Sequence, residues 1–143
     1  MTAQTTRPSY YLFRRRPVKI LPGPGGEAAL WWLDLRTGAW VQDPDLVREI
    51  ADGDRAEQPA PLTPHQFVDV VEAMRAARLT GDGPVFALYE TINAVYAIAE
   101  AEQRRLTPEE MALLAGLRPR TYRMFEEELA SQGNPAAQPD LAD

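Results

Sequence analysis

Four side chains near the C-terminal end of the chain have the types and spacing to read a polyanion: Arg118, Arg120, Thr121 and Arg123. An arginine fork matches guanine O6/N7 or a phosphate, and a threonine hydroxyl serves a base edge or a phosphate. Arg104 and Arg105 stand upstream, where they would meet phosphates and position a duplex without reading it. These six residues are the candidate DNA-binding set. A second concentration, Arg14-Arg15-Arg16 with Lys19, has two readings. It is either a solvated edge strand, protected from pairing by charge and by Pro17, or a basic ridge for nucleic acid or an acidic partner.

Other chemistry is poorly supplied. The chain has no cysteine, which excludes disulfides, thiolate metal sites and cysteine nucleophiles. Its two serines, Ser9 and Ser131, fall near the ends and its one histidine is His65, so a Ser-His-Asp triad has nowhere to assemble. His65 reads as an exposed polar residue in the first turn of a helix. The PGPGG run at 22–26 lacks the Gly-Lys-Ser/Thr of a phosphate loop and reads as a turn between strands. No metal-ligand spacing is evident and no carboxylate pair stands out. The expectation is a protein without catalytic residues, metal or cofactor, and not an enzyme.

A chain of 143 residues suits one domain. The net charge of −6 opposes general attraction to polyanions, but the charge is unevenly placed. Met1 to Arg36 carries six bases and two acids; Asp43 to Glu72 carries eight acids against Arg48 and Arg55. Arg104 to Arg123 carries five arginines against Glu109 and Glu110. The N-terminus shows no secretory pattern and no apolar run approaches the ~20 residues of a membrane span, so a cytoplasmic protein is expected.

The elements that must position these residues follow from local pattern. Residues 1–9 and 132–143 read as disordered tails around a single α+β domain at 10–131. Its first part, 10–42, reads as a small antiparallel β-meander with Trp31, Trp32 and Trp40 on its apolar face. Its second part, 43–131, reads as a bundle of four to five helices. Asp43 and Pro44 open one helix, which ends at Gly53. Residues 54–62 form a polar connector, and Thr63 with Gln66 makes a capping box for a helix with the stripe Phe67, Val70, Val71 and Met74. A helix over 84–106, striped by Val85, Leu88, Tyr89, Ile92, Val95, Tyr96 and Ala99, is expected at the centre of the core. Arg104 and Arg105 would face its C-terminal dipole.

Thr107 and Glu110 form a further capping box with Pro108 between them, and Gly116 reads as a turn before a second helix over 119–131. Over 107–129 the pattern resembles the helix-turn-helix of phage-repressor-like DNA-binding proteins. Ala112 takes the place of the small residue inside the first helix, and Gly116 that of the glycine four residues on. Met111, Leu117, Tyr122 and Phe125 take the apolar places, and Ala115 the half-buried one. The resemblance covers about 20 residues of the chain and implies that the second helix enters the major groove. It makes a regulatory or accessory DNA-binding protein, acting as a homodimer, the first expectation. Glu126, Glu127 and Glu128 follow directly on that helix. A non-enzymatic module whose helical corner docks a protein partner, such as a phage or mobile-element accessory protein, is the alternative.

Overall fold

A computed structural model describes residues 7–53 and 58–141. The N-terminal tail expectation therefore lies mostly outside the described residues. Five strands and four helices follow one another as β1 (Ser9–Phe13), β2 (Arg16–Pro22), β3 (Ala28–Leu33), β4 (Trp40–Val41), α1 (Pro44–Asp52), β5 (Ala60–Leu62), α2 (Pro64–Arg78), α3 (Pro84–Ala101) and α4 (Pro108–Ser131). The fold is α+β, with an antiparallel sheet of order β4-β3-β2-β1-β5.

The sheet corrects the expected place of the basic run. Arg14 and Arg15 both adopt positive φ and turn the chain between β1 and β2, so the three arginines form a hairpin tip and not one strand. β2 is an interior strand. Pro17 survives there because it pairs Leu12 of β1, while the ladder to β3 begins one residue later at Val18–Trp32. The missing N–H thus falls where no partner strand needs it. β5 grows from the end of the segment read as a polar connector, and it closes the far edge by pairing Ala60–Leu62 with Tyr10–Leu12.

Strand alternation sends neighbouring side chains to opposite faces. Trp31 therefore packs into the main core, whereas Trp32 packs with Phe13, Val18 and Leu46 beneath α1. The three tryptophans do not share one face. The main core joins Tyr10, Leu33 and Trp40 of the sheet to Phe67, Val71, Tyr89, Ile92, Leu114, Tyr122, Phe125 and Leu129 of the helices. Trp40 stacks on Phe67 with centroids 5.6 Å apart, and Tyr10 packs on the same ring at 4.6 Å.

α2 is the hub, in place of the expected α3. It touches β1, β2, β5, α3 and α4. Its buried face is Val68, Val71, Glu72 and Arg75 with Phe67 and Ala76, rotated about one residue from the expected stripe. Both predicted capping boxes are present, at Thr63–Gln66 and at Thr107–Glu110. α1 likewise starts at Asp43, whose side chain accepts from the Asp45 N–H, and stops before Gly53.

Two helix boundaries differ from expectation. α3 ends at Ala101, because Gln103 takes positive φ and the Arg104 N–H turns back to the Ala99 carbonyl at 3.0 Å. Arg104 and Arg105 consequently lie in the connection and not on a helix end. The larger difference is α4, which runs unbroken from Pro108 to Ser131 through Gly116 and Pro119. Gly116 is not among the positive-φ glycines. The turn expected there is absent, and the predicted pair of short helices is one long helix. Its buried residues Leu114, Thr121, Tyr122, Phe125 and Leu129 keep helical spacing across the glycine. That continuous packing outweighs the weak helix propensity of Gly and the single hydrogen bond that Pro119 cannot make.

Residues beyond Ser131 also take part in the fold. Ala136 is fully buried, its carbonyl accepts from Lys19 Nζ at 2.5 Å, and the Gln138 N–H donates to Glu126 at 2.9 Å. Leu141 packs on the main core as well.

Candidate functional site

The six candidate DNA-binding residues do not converge. On a continuous helix, Arg118 and Arg120 stand about 160° apart and Arg123 lies on the Arg120 side. Thr121 is fully buried, and its hydroxyl donates to the Arg118 carbonyl at 3.2 Å. Arg118 is half-buried and donates to the Tyr96 hydroxyl of α3. Arg123 pairs with Glu127 at 3.1 Å and with Asp140 at 3.3 Å. Arg104 is held by Glu102 and by Glu110. The Arg104 guanidinium, with help from the Thr107 backbone, pulls the Glu110 carboxyl down to about 2. Only Arg105 and Arg120 of the six are exposed with no hydrogen-bond or ion-pair partner to the side chain among the described residues.

At the hairpin tip, Arg14 pairs with Glu49 at 3.0 Å and Arg16 lies over the Trp32 ring at 4.3 Å. His65 is exposed and faces Asp69 at 3.6 Å.

The most concentrated chemistry in the molecule is internal, and the linear reading does not single it out. Arg75 lies at its centre with no exposed side chain: it donates to Glu72 at 2.9 Å, to Glu126 at 2.6 Å and to the Gly38 carbonyl at 2.7 and 3.1 Å. Tyr89 donates to the other oxygen of Glu72 at 2.7 Å. The Trp40 indole donates to both oxygens of Glu126 at 2.9 and 3.0 Å. Lys19 completes the group, 3.9 Å from Glu126 and the same distance above the Trp40 ring, donating also to Gln138 at 2.8 Å.

Burial governs the protonation of these groups. Loss of solvent pushes the Glu72 carboxyl up, against the opposing pull of Arg75, and brings the Lys19 ammonium down to about 7. The available signal was helical spacing. Val68, Val71, Glu72 and Arg75 fall at i, i+3, i+4 and i+7, so a face that buries the valines carries the two charges inward with them.

This arrangement ties sheet, helices and C-terminal segment together. Its charged atoms are closed off from solvent and spent on one another. Lys19, Glu72, Arg75 and Glu126 have no exposed side-chain surface, so the group links these elements from within. No group of residues suited to holding a metal ion occurs among those described.

The surface shows a different feature. α3 and α4 pack against each other across a short connection, residues 102–107, so their facing ends lie together. At that end Tyr96 is 41% exposed, Ile98 53%, Met111 58% and Leu113 47%. Ala94, Ala97 and Ala101 are exposed on the same face of α3 as Ile98, and Ala115 on the same face of α4 as Met111, with Ala112 exposed next to it, whereas Tyr96 and Leu113 stand about 160° from Ile98 and Met111. Met111 and Ala112 were expected to line a helix-turn-helix interior, and here they face out. α3 carries just two charged residues in its length, Glu90 and Glu100. A helix so apolar is normally covered on more of its circumference.

The class defined by these features is an α+β domain with an antiparallel sheet, a buried ionic centre and an apolar helical end. No protein family, characterised protein or solved structure matches the chain. Among the described residues no helix is long and apolar enough to cross a membrane.

Proposed function

We propose that the protein is a non-enzymatic docking module that binds a protein partner through the connection end of α3 and α4. The observation that carries this reading is the exposed apolar face Ala94, Ala97, Ile98 and Ala101 of α3 at that end, with Met111 exposed one turn into α4. Isolated exposed apolar residues are ordinary on a soluble protein, but an apolar helix face left exposed favours an interaction surface. The surrounding alanines let an incoming backbone approach closely. The buried ionic groups are paired with one another and have no exposed side-chain surface, which favours a binding role.

A photo-crosslinking residue placed at Met111 of the full chain tests the proposal. A discrete protein adduct is expected, lost when Ile98→Lys is added with the fold intact by circular dichroism. A crosslinker at Val47 on α1, which is similarly exposed, controls for general stickiness. The same adducts from both positions would sink the reading.

Regulatory DNA binding is the second reading, supported by Arg105 and Arg120, whose side chains have no partner among the described residues. Salt-sensitive binding to duplex DNA that is lost on Arg105→Ala with Arg120→Ala would favour it over protein docking.

A further inference from the structure

A groove of about 750 Å³ lies at the opposite end of the α3–α4 pair, between the start of α3, the last turns of α4 and the turn at Thr37–Ala39. Its volume falls within the ~300–1,000 Å³ of sites that seat a ligand. Phe86, Phe125 and Leu129 supply an apolar floor, and the charged residues that line it, Asp82, Glu127 and Glu128, are all acidic. We propose that this groove seats the apolar face of a cationic amphipathic helix from another protein.

Three observations carry the proposal. The lining is apolar at the floor and acidic at the margin, complementary to a helix with leucine-like residues on one face and lysine or arginine beside them. α4 also ends here without a basic residue in its last turn, so no side chain offsets the negative end of its dipole on the same side. Finally, α3, α4 and a tight turn form the walls, and these suit an inserted helix better than an added strand. One of these acids, Glu127, pairs with Arg123, but both side chains are more than half exposed. Such a solvated pair yields readily to a competing cation. The groove lies away from Ile98 and Met111, so this inference stands apart from the docking surface proposed above and can fail without it.

The test uses the full chain and a labelled Leu/Lys peptide with leucines at i, i+3, i+4 and i+7, titrated by fluorescence anisotropy, with a Leu/Glu peptide of the same pattern alongside. The Leu/Lys peptide should bind and the Leu/Glu peptide should not. Asp82→Asn, Glu127→Gln and Glu128→Gln together should weaken binding about tenfold. Neutralising three acids on α1 (Asp45→Asn, Glu49→Gln, Asp52→Asn) should leave it nearly unchanged. Equal losses from the two triple variants would show general charge attraction and overturn the proposal. So would binding indifferent to both, or a dimer in sedimentation that Val85→Arg dissolves, since the groove would then be closed by a second copy. Val85→Arg should abolish peptide binding in a monomer whose near-ultraviolet circular dichroism matches the parent.

Discussion

Arg75 and Glu126 are fifty-one residues apart in sequence and 2.6 Å apart in the fold, neither with exposed side-chain surface. Their pairing closes α2 onto α4, and the second arm of the same guanidinium holds Glu72. Removing one partner of a buried pair leaves an uncompensated charge, which costs more than the pair itself contributes. Here one cation serves two carboxylates. Arg75→Met should therefore destabilise the protein by about 3–5 kcal/mol in urea unfolding. A loss below about 1 kcal/mol would mean that the carboxylates find water or protons at little cost.

Two glycines should respond to alanine with opposite signs. Gly38 has φ +76, and a Cβ there would meet Leu79 and Phe125 side-chain carbons at 2.6 and 2.7 Å. Gly38→Ala should cost about 2–4 kcal/mol through strain and overpacking. Gly116 lies inside α4, and a Cβ there would meet nothing within 4 Å. Gly116→Ala should add about 0.5–1 kcal/mol by improving helix propensity. Thermal melts of the two variants settle the point. Destabilisation by Gly116→Ala would restore a turn at that position.

That contrast also shows where the sequence is legible. The capping boxes at Thr63 and Thr107, and the Asp43–Pro44 helix start, are written in three or four adjacent residues and appear where expected. Gly116 and Pro119 carry the local signature of a break, but the spacing from Leu114 to Leu129 continues across them and packing decides. β5 has two prolines in or beside three residues of strand, and only its long-range pairing with β1 makes it one. The buried ionic centre is harder still. Its members come from β2, β4, α2, α3 and α4 and acquire meaning only when those elements meet.

Stability should carry the mark of Lys19 above neutral pH. Its folded value, about 7, lies below the ordinary lysine value of 10.5 because burial disfavours the charged form. Between those two values the unfolded chain binds more protons than the folded one, so the lysine's contribution to stability rises with pH. Below about 7 both states are protonated and the burial penalty is present in full. Urea unfolding from about pH 7 to about pH 9 should show the parent gaining stability relative to Lys19→Met. The Tyr10, Tyr89 and Tyr122 hydroxyls, all pushed up by burial, stay protonated over that range. Parallel pH profiles for the two proteins would place the Lys19 value near its ordinary one.

The arginines of α4 allow a final prediction that follows from helix geometry. One groove of a duplex can be served by one face of a helix, yet Arg118 and Arg120 point about 160° apart. Thr121 lies inside the core, Arg118 is tied to Tyr96, and Arg123 is engaged by Glu127 and Asp140. For Arg118, Arg120 and Arg123 to meet DNA together, α4 would have to break at Gly116, exposing Tyr122 and Phe125, which are buried in the main core. Titration of the protein into duplex DNA at about 50 mM salt, where phosphate contacts are strong, should give no saturable binding. Arg120→Ala should leave stability unchanged, while Arg118→Ala should lose about 0.5–1.5 kcal/mol with its bond to Tyr96. Tight, salt-sensitive binding that needs all three arginines would show that α4 opens on DNA, and the docking reading would then give way.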